Sequence, residues 1–598
     1  MTESGQGFFR RAFNRLDSAT ASARQQMEDW VSGWGPVDDA QLSTLAEMGD
    51  AYRRMLEDAL VHPLRVVGLE AEWLRQQMRL LGYLGSRLSG GHPEPVAVPA
   101  PDDRRFRAAD WDKFAVFDYL KQAYLINARL VMDLIDQTAT GPEHQRDQLR
   151  FFARQLLSAF APSNFVPTNP EVLRITMERK GQNLIDGARY FLQDLRNNPR
   201  LFNVAMTDTE AFEVGRNVAT TPGEVVYQND LMQLIQYRPV TESVYQRPLL
   251  IVPPWINKYY ILDLKPKNSL IQWLVEQGFT VFIISWVNPG PSLRDKGFED
   301  YMQEGPLAAI DAIQQATGEK QINAIGYCIG GTLLAATLAW LAEKGRKPVV
   351  SATYLATLMD FSDPGGIGVF INEHLIKGVE RLINKTGYYD GRAMAFSFNL
   401  LRENELFWSF WINSYLKGEK PAAFDLLYWN TDSTNLPARM HSFYLRNMYL
   451  HNRLIEPGGI NLSGVPIDLR KIRIPAFFLS AEQDHIAKWK ATYKGALVHS
   501  GDVRFVLSGS GHIAGVVNPP AAHKYGYWTN DSLAETPDDW MAGAERHEGS
   551  WWPEWKRWIE AYAGPEMPAR QPGDGALPVI EAAPGHYVQA RIADVAAS

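Results

Sequence analysis

One stretch constrains the fold more than any other. The residues AIGYCIGGTLLAATLAWLA, Ala324 to Ala342, carry no charge over a length sufficient to cross a bilayer. The run Gly-Tyr-Cys-Ile-Gly-Gly near its start breaks the apolar pattern, however, and small residues flanking a polar one mark a sharp turn. The stretch therefore reads as a buried strand, a tight turn and a buried helix, not as a membrane span. A chain that buries both elements completely needs a sheet covered on two faces.

The surrounding sequence supplies that sheet. Pro248 to Pro254 predicts a buried strand ending in a tight loop, Ser269 to Gln277 a helix, and Thr280 to Trp286 a second buried strand. Gly305 to Thr317 reads as a helix, Ile322 to Gly326 as a strand and Thr332 to Lys344 as a helix. Val349 to Leu358, Ala476 to Ser480 and Val503 to Leu507 add further strands. Helices alternating with continuous apolar strands predict a mainly parallel α/β sheet. Between 360 and 469 the alternation lapses into an aromatic-rich insertion that includes Phe396, Phe398, Phe407, Trp408, Phe410, Trp411, Tyr415, Phe424, Tyr428 and Trp429. Too apolar for disorder, it is expected to form a cap over the sheet.

Residues 1–210 are expected to form a helical N-terminal domain, and 211–598 the catalytic domain. Met55, Leu56, Leu60, Leu64, Val67, Leu74 and Met78 recur at helical spacing. Ser89 to Pro101 is a Gly/Pro-rich break, and helical patterning resumes at Trp111 to Leu134 and Gln148 to Phe160. The extreme N-terminus has no secretory-signal pattern. Phe8, Phe9, Phe13 and Leu16 alternate with Arg10, Arg11 and Arg15 as in a short amphipathic helix, and Glu3 and Asp17 argue against a transit peptide. The net charge of −8 and the absence of a basic block argue against nucleic acid as a partner. A single cysteine among 598 residues excludes an intrachain disulfide and a multi-cysteine metal site, and it is compatible with a reducing cytoplasm.

That cysteine lies at the turn. Gly326-Tyr327-Cys328-Ile329-Gly330 fits the G-x-nucleophile-x-G pattern, in which a strained strand-to-helix turn presents the nucleophile above the sheet, here with Cys in place of Ser. The expected fold is therefore an α/β-hydrolase fold with a cap insertion. In that fold an acid and then a histidine follow the nucleophile along the chain. Asp484 follows the strand ending at Ser480, and His512 follows the strand ending at Leu507. Asp360 and Asp363 are the competing acids, and His485, His499 and His523 have weaker settings. The oxyanion donors are expected to be the backbone N–H of Ile329 and one from the loop Pro253–Lys258. Prolines have no N–H, which leaves Trp255 or Ile256, of which Ile256 is favoured. A thiolate attacking a thioester exchanges like for like, so the acyl-enzyme stays activated for transfer to an alcohol or amine. The sequence thus points to acyl transfer from a CoA-type thioester.

At these residues the chain resembles the bacterial polyhydroxyalkanoate synthases. The likeness lies in the cysteine box Gly326–Gly331 and in PPWINKYYILDL (Pro253 to Leu264), NTDSTNLP (Asn430 to Pro437), EQDHI (Glu482 to Ile486) and GSGHIAGVVNPP (Gly509 to Pro520). FEVGRNVA (Phe212 to Ala219), HEGSWWPEW (His547 to Trp555) and APGHYV (Ala583 to Val588) extend it, so that it runs from about Asp103 to the last residue. The length and the box are similar to class I of that family. The resemblance implies polymerisation of (R)-3-hydroxyacyl-CoA, chiefly 3-hydroxybutyryl-CoA, with release of CoA and no cofactor or metal. It implies that Cys328 carries the growing chain, that His512 takes the thiol proton, and that Asp484 either activates the incoming 3-hydroxyl or orients His512. Trp429 falls where the family places a tryptophan associated with subunit contacts, although a buried cap residue is the competing reading. A homodimer at the surface of cytoplasmic polymer granules is likewise implied. An acyl-CoA thioesterase or polyester depolymerase of the same fold, and a non-enzymatic granule-coat protein, are the alternative functions.

Overall fold

The computed structural model describes residues 63–139, 141–197 and 204–595, together with Arg53. The amphipathic segment around Phe8 to Leu16, and Met55, Leu56 and Leu60, lie outside these residues. The chain divides into two compact units, Met1–Met206 with Phe396–Ala422, and Thr207–Ala395 with Ala423–Ser598.

The first unit is helical. Its helices include Pro63–Leu88, Ala115–Thr138, Glu143–Ala159, Pro170–Glu178 and Gln182–Asn197. Val67, Leu74 and Met78, which recur at helical spacing in the first of these, are more than half exposed. The helix instead buries Leu80 and Tyr83 against Ala97 and Ile126. A hydrogen-bonded polar cluster fixes this face: Tyr83 donates to Asp118 at 2.5 Å and Gln122 to the other carboxylate oxygen at 3.0 Å. Periodicity locates a stripe but does not say which stripe meets a neighbour.

Part of the aromatic insertion also belongs to this unit. Gly187 lies so close to the backbone of Tyr415 that a Cβ there would sit 1.9 Å from its carbonyl oxygen. Asn183 donates to the Leu416 carbonyl at 2.8 Å, Tyr415 donates to buried Asp194 at 2.5 Å, and Phe191 meets Trp411 and Tyr415 edge-on. The aromatics of Phe396–Ala422 thus pack among the N-terminal helices.

The second unit is built on a sheet of eleven strands among the described residues. In chain order these are β1 (Gly223–Gln228), β2 (Met232–Tyr237), β3 (Leu249–Val252), β4 (Val281–Trp286), β5 (Ile322–Tyr327), β6 (Val349–Leu355), β7 (Ala476–Ala481), β8 (Val503–Ser508), β9 (Gly526–Thr529), β10 (Glu545–Glu548) and β11 (Glu581–Ala582). Their spatial order is β10-β9-β8-β7-β6-β5-β3-β4-β2-β1-β11. The six strands from β8 to β4 run parallel. Antiparallel strands flank them on both sides: β2, β1 and β11 on one, β9 and β10 on the other. The parallel strands are buried on both faces, as a doubly covered sheet requires. Leu250, Val252, Phe282, Ile284 and Ala324 enter one core, and their alternates Leu249, Ile251, Val281, Ile283 and Ile325 enter the other.

The apolar stretch around Cys328 resolves into β5 and the helix Ile329–Glu343, buried over nearly its whole length. Among the described residues no helix is long and apolar enough to cross a membrane. The helix expected from Gly305 starts earlier, at Phe298, and runs through a π-helical turn at Gln303–Leu307 before continuing as Ala308–Thr317. Pro306 lies in that turn, where it removes one backbone donor from the regular pattern.

Candidate active site

The parallel register brings four loops to one edge of the sheet. Val252 pairs with Gly326, Tyr327 with Leu355, and Ala481 with Ser508. The chain leaves these strand ends toward Ile256, Cys328, Asp484 and His512. The carboxyl ends of parallel strands are where open α/β sheets place their sites.

Cys328 has φ 52° and ψ −126°, a left-handed backbone that side-chain-bearing residues rarely adopt. Such strain persists only where the surroundings impose it. Here the glycines allow the imposition. A Cβ on Gly326 would lie 2.4 Å from the Gly331 Cα, one on Gly330 would lie 2.2 Å from the Val252 carbonyl oxygen, and one on Gly331 would meet the Thr357 hydroxyl at 2.0 Å. The turn is thus wedged between β3 and the end of β6, and the Cys328 N–H donates to the Leu355 carbonyl at 2.9 Å. The side chain is half-buried, and it packs against both cores at their shared edge.

The loops that carry Asp484 and His512 are tied together by backbone. Glu482 N–H donates to the Ser508 carbonyl and Gln483 N–H to the Ser510 carbonyl, both at 2.8 Å. His512 Nδ1 then meets Asp484 Oδ2 at 2.6 Å. The other oxygen of Asp484 accepts the N–H groups of Ile486 at 2.8 Å and Ala487 at 2.9 Å. The carboxylate is therefore buried with both oxygens occupied. Burial opposes a charge on His512, but the Asp484 carboxylate and the Cys328 sulfur outweigh it and hold the imidazole pKa well above its ordinary value. With Nδ1 engaged by Asp484, Nε2 is the nitrogen left for sulfur. The Tyr327 ring stacks on the imidazole at 5.7 Å and fixes its plane.

Asp360, Asp363 and His499 are engaged elsewhere. Asp360 accepts from Asn452 at 2.8 Å, and Asp363 pairs with Lys488 at 3.0 Å. The His485 carbonyl accepts the Gly366 N–H. His499 is bonded to the Ile474 carbonyl at 2.7 Å, and His523 occupies a left-handed cap after a short helical turn.

Ile329 opens the helix after the elbow, so its N–H is among the first-turn donors that lack an intrahelical acceptor and lies at the positive end of the helix dipole. The Pro253–Lys258 loop lies against the same turn through the contact of Gly330 with Val252 and Pro253. Within it the Trp255 ring is buried among Trp286, Phe298, Tyr301 and Tyr444, whereas Ile256 is half-buried.

Trp429 is 4% exposed within the single chain. It lies on the helix Asp425–Thr431, in the core that also holds Tyr428 and Tyr260, and its indole N–H donates to the Lys258 carbonyl at 2.7 Å. The ring thus fills an intrachain core and offers little surface to another subunit in this conformation.

Tyr444 and Tyr449 escaped the sequence reading. Tyr449 lies 5.1 Å from Phe361 and 5.8 Å from Tyr444 between ring centres, and the sulfur of Cys328 adds to burial in raising the pKa of both hydroxyls. Tyr444 immediately precedes the π-helical turn Leu445–Leu450, and Tyr449 lies within it. Residues five apart share a face in a π-helix but diverge in an α-helix, so helical spacing hides the pair.

Residues 102–274 match the family described as the poly-beta-hydroxybutyrate polymerase (PhaC) N-terminus, and residues 248–519 match the alpha/beta hydrolase fold. Over 548 residues the chain is 48% identical to a poly(3-hydroxyalkanoate) polymerase of Methylorubrum extorquens, covering 92% of this chain and 90% of that protein. It is 42% identical to the poly(3-hydroxyalkanoate) polymerase subunit PhaC of Rhizobium meliloti over 96% of this chain and 94% of that one. The subunit of the same name from Cupriavidus necator is 42% identical over 82% of this chain and 83% of its own.

Proposed function

The chain belongs to the poly(3-hydroxyalkanoate) polymerase family, and on that premise we propose that it polymerises 3-hydroxyacyl-CoA, chiefly the 3-hydroxybutyryl thioester, through an acyl group held on Cys328. The observation that carries the mechanism is a lone cysteine on a strained elbow, beside a histidine whose Nδ1 is held 2.6 Å from a buried carboxylate.

His512 Nε2 takes the thiol proton as sulfur attacks the thioester carbonyl. The negative charge that develops on the carbonyl oxygen is met by the Ile329 N–H and by a donor of the Pro253–Lys258 loop, for which Ile256 is our assignment. The carbon–sulfur bond to CoA breaks, and the imidazolium returns its proton to the departing thiolate. In the second half the imidazole accepts the proton of the 3-hydroxyl of an incoming hydroxyacyl-CoA, whose oxygen attacks the acyl carbon and forms the ester. The bond to the Cys328 sulfur breaks, the thiolate takes the proton back from the imidazolium, and the lengthened acyl-CoA then re-acylates Cys328. Repetition lengthens the chain. Both Asp484 oxygens are already engaged, which favours Asp484 as the group that orients His512 over a role as base for the hydroxyl.

Phe361, Tyr444 and Tyr449 belong to the aromatic part of the core against which Cys328 packs. Such a setting disfavours water as acceptor and supports transfer over hydrolysis. We place the working protein in the cytoplasm, as a homodimer at the surface of its polymer, with the cap shifting to admit substrate and release product. The deciding experiment supplies 3-hydroxybutyryl-CoA to the purified chain. CoA release with insoluble polyester supports the reading. Release of free hydroxy acid in proportion to CoA would instead make the protein a thioesterase, and polymer binding without CoA release would make it a coat protein.

A further inference from the structure

Lys258 is a cation with almost no access to water: its side chain is 5% exposed, and that of its partner Asp432 is 9% exposed, with Nζ and Oδ1 2.8 Å apart. The same ammonium donates to the Ala590 carbonyl at 2.9 Å, close to the C-terminal end of the described chain. Tyr260 occupies the other Asp432 oxygen at 2.8 Å. Burying a pair like this costs several kcal/mol in lost hydration, so it is weak evidence of stabilisation. What the pair does fix is position. Lys258 closes the loop that begins at Pro253, and its own carbonyl accepts from Trp429. The neighbouring Asn257 forms an isolated antiparallel bridge with Ser433. The loop is thus pinned at its start by the close approach of Gly330 to Val252 and Pro253, and at its end by Lys258.

We propose that Lys258 and Asp432 are positioning residues for acyl transfer, holding the Pro253–Lys258 loop so that its backbone donor faces the carbonyl attacked by Cys328. This rests on the reading of Cys328 as nucleophile. The loop between the two pins is short, so release of the Lys258 end lets the peptide planes at Trp255 and Ile256 rotate while the elbow, Asp484 and His512 stay in place. Through Asn257–Ser433 and the Ala590 carbonyl, the 429–435 segment and the C-terminal tail act on the same donor.

The test exploits the single cysteine. Alkylation of Cys328 by iodoacetamide needs the reactive sulfur but no oxyanion donor, whereas acylation by 3-hydroxybutyryl-CoA needs both. In full-length Lys258→Met and Asp432→Asn, alkylation is expected to stay within about twofold of wild type, while the single-turnover acylation rate falls by roughly 10- to 100-fold, part of the 10²–10³ a lost oxyanion donor costs. Lys258→Arg, which keeps a buried cation in reach of Asp432, is expected to recover part of the acylation rate. Both rates are referred to the folded fraction measured by circular dichroism, and Asp432→Asn serves if Lys258→Met does not fold. Equal loss of alkylation and acylation would overturn the proposal, as would acylation that falls only with the folded fraction. If Cys328 were not the nucleophile, the Cys328 peptide of the wild-type protein itself would carry no acyl group, a result distinct from both, and the proposal would fall with that reading.

Discussion

Asp484 holds His512 by a 2.6 Å contact between Oδ2 and Nδ1 while its second oxygen caps the N–H groups of Ile486 and Ala487. The carboxylate is thereby fixed in place before any substrate arrives. A carboxylate held in this way sets the tautomer and plane of the imidazole and favours its charged form.

Asp484→Asn should therefore impair acylation of Cys328 itself, as His512→Gln does, by roughly 10²–10⁴-fold. Without the carboxylate the imidazolium gives up its proton at lower pH, so the acid limb of the acylation profile, set by His512 losing its proton, should move to lower pH in Asp484→Asn. Rapid-quench acylation across pH measures both. Normal acylation with slow elongation in Asp484→Asn would return the hydroxyl-activating role to Asp484.

Burial holds the pKa of His441 down at about 4, against 6.5 for the free group, and its ring stacks on Tyr389 at 4.6 Å. Below the ordinary value the unfolded chain binds a proton that the folded one refuses. Stability is therefore lost as pH falls from 6.5 toward 4, by roughly 3 kcal/mol in total. His441→Phe keeps the stack and removes the proton site. Urea unfolding at neutral pH and at about pH 5 should show a smaller acid loss in this variant than in wild type. An identical loss in both would place the acid sensitivity elsewhere.

Trp429→Ala should cost roughly 3–5 kcal/mol, because the ring is enclosed within one chain. Trp429→Phe keeps most of the packing but leaves the Lys258 carbonyl without its donor, for about 1–3 kcal/mol. Chemical denaturation measures both, and sedimentation measures assembly. A Trp429→Ala protein of wild-type stability with a lower dimer fraction would restore the subunit-contact reading.

The parallel centre of the sheet was legible because strands buried on both faces leave unbroken apolar runs, as in Val281–Trp286. The edge strands were not. Glu545–Glu548 is ERHE, with three of its four residues exposed, and Glu581–Ala582 is two residues long, so neither carries a pattern of its own. Cys328 was legible because its strain demands glycines at fixed offsets. Asp484 and His512 were legible as polar residues just past apolar strands. The placement of Lys258 was hidden, since its partners Asp432 and Ala590 are 174 and 332 residues away and only the fold brings them together. The packing of Phe396–Ala422 among the N-terminal helices was hidden for the same reason.

The central claim is that the acyl group rides on Cys328. Its most direct test is mass spectrometry of the protein quenched shortly after mixing with 3-hydroxybutyryl-CoA. The account predicts a hydroxyacyl adduct on the peptide containing Cys328, and neither adduct nor CoA release in Cys328→Ala. An adduct on any other residue, or CoA release by Cys328→Ala, would contradict it.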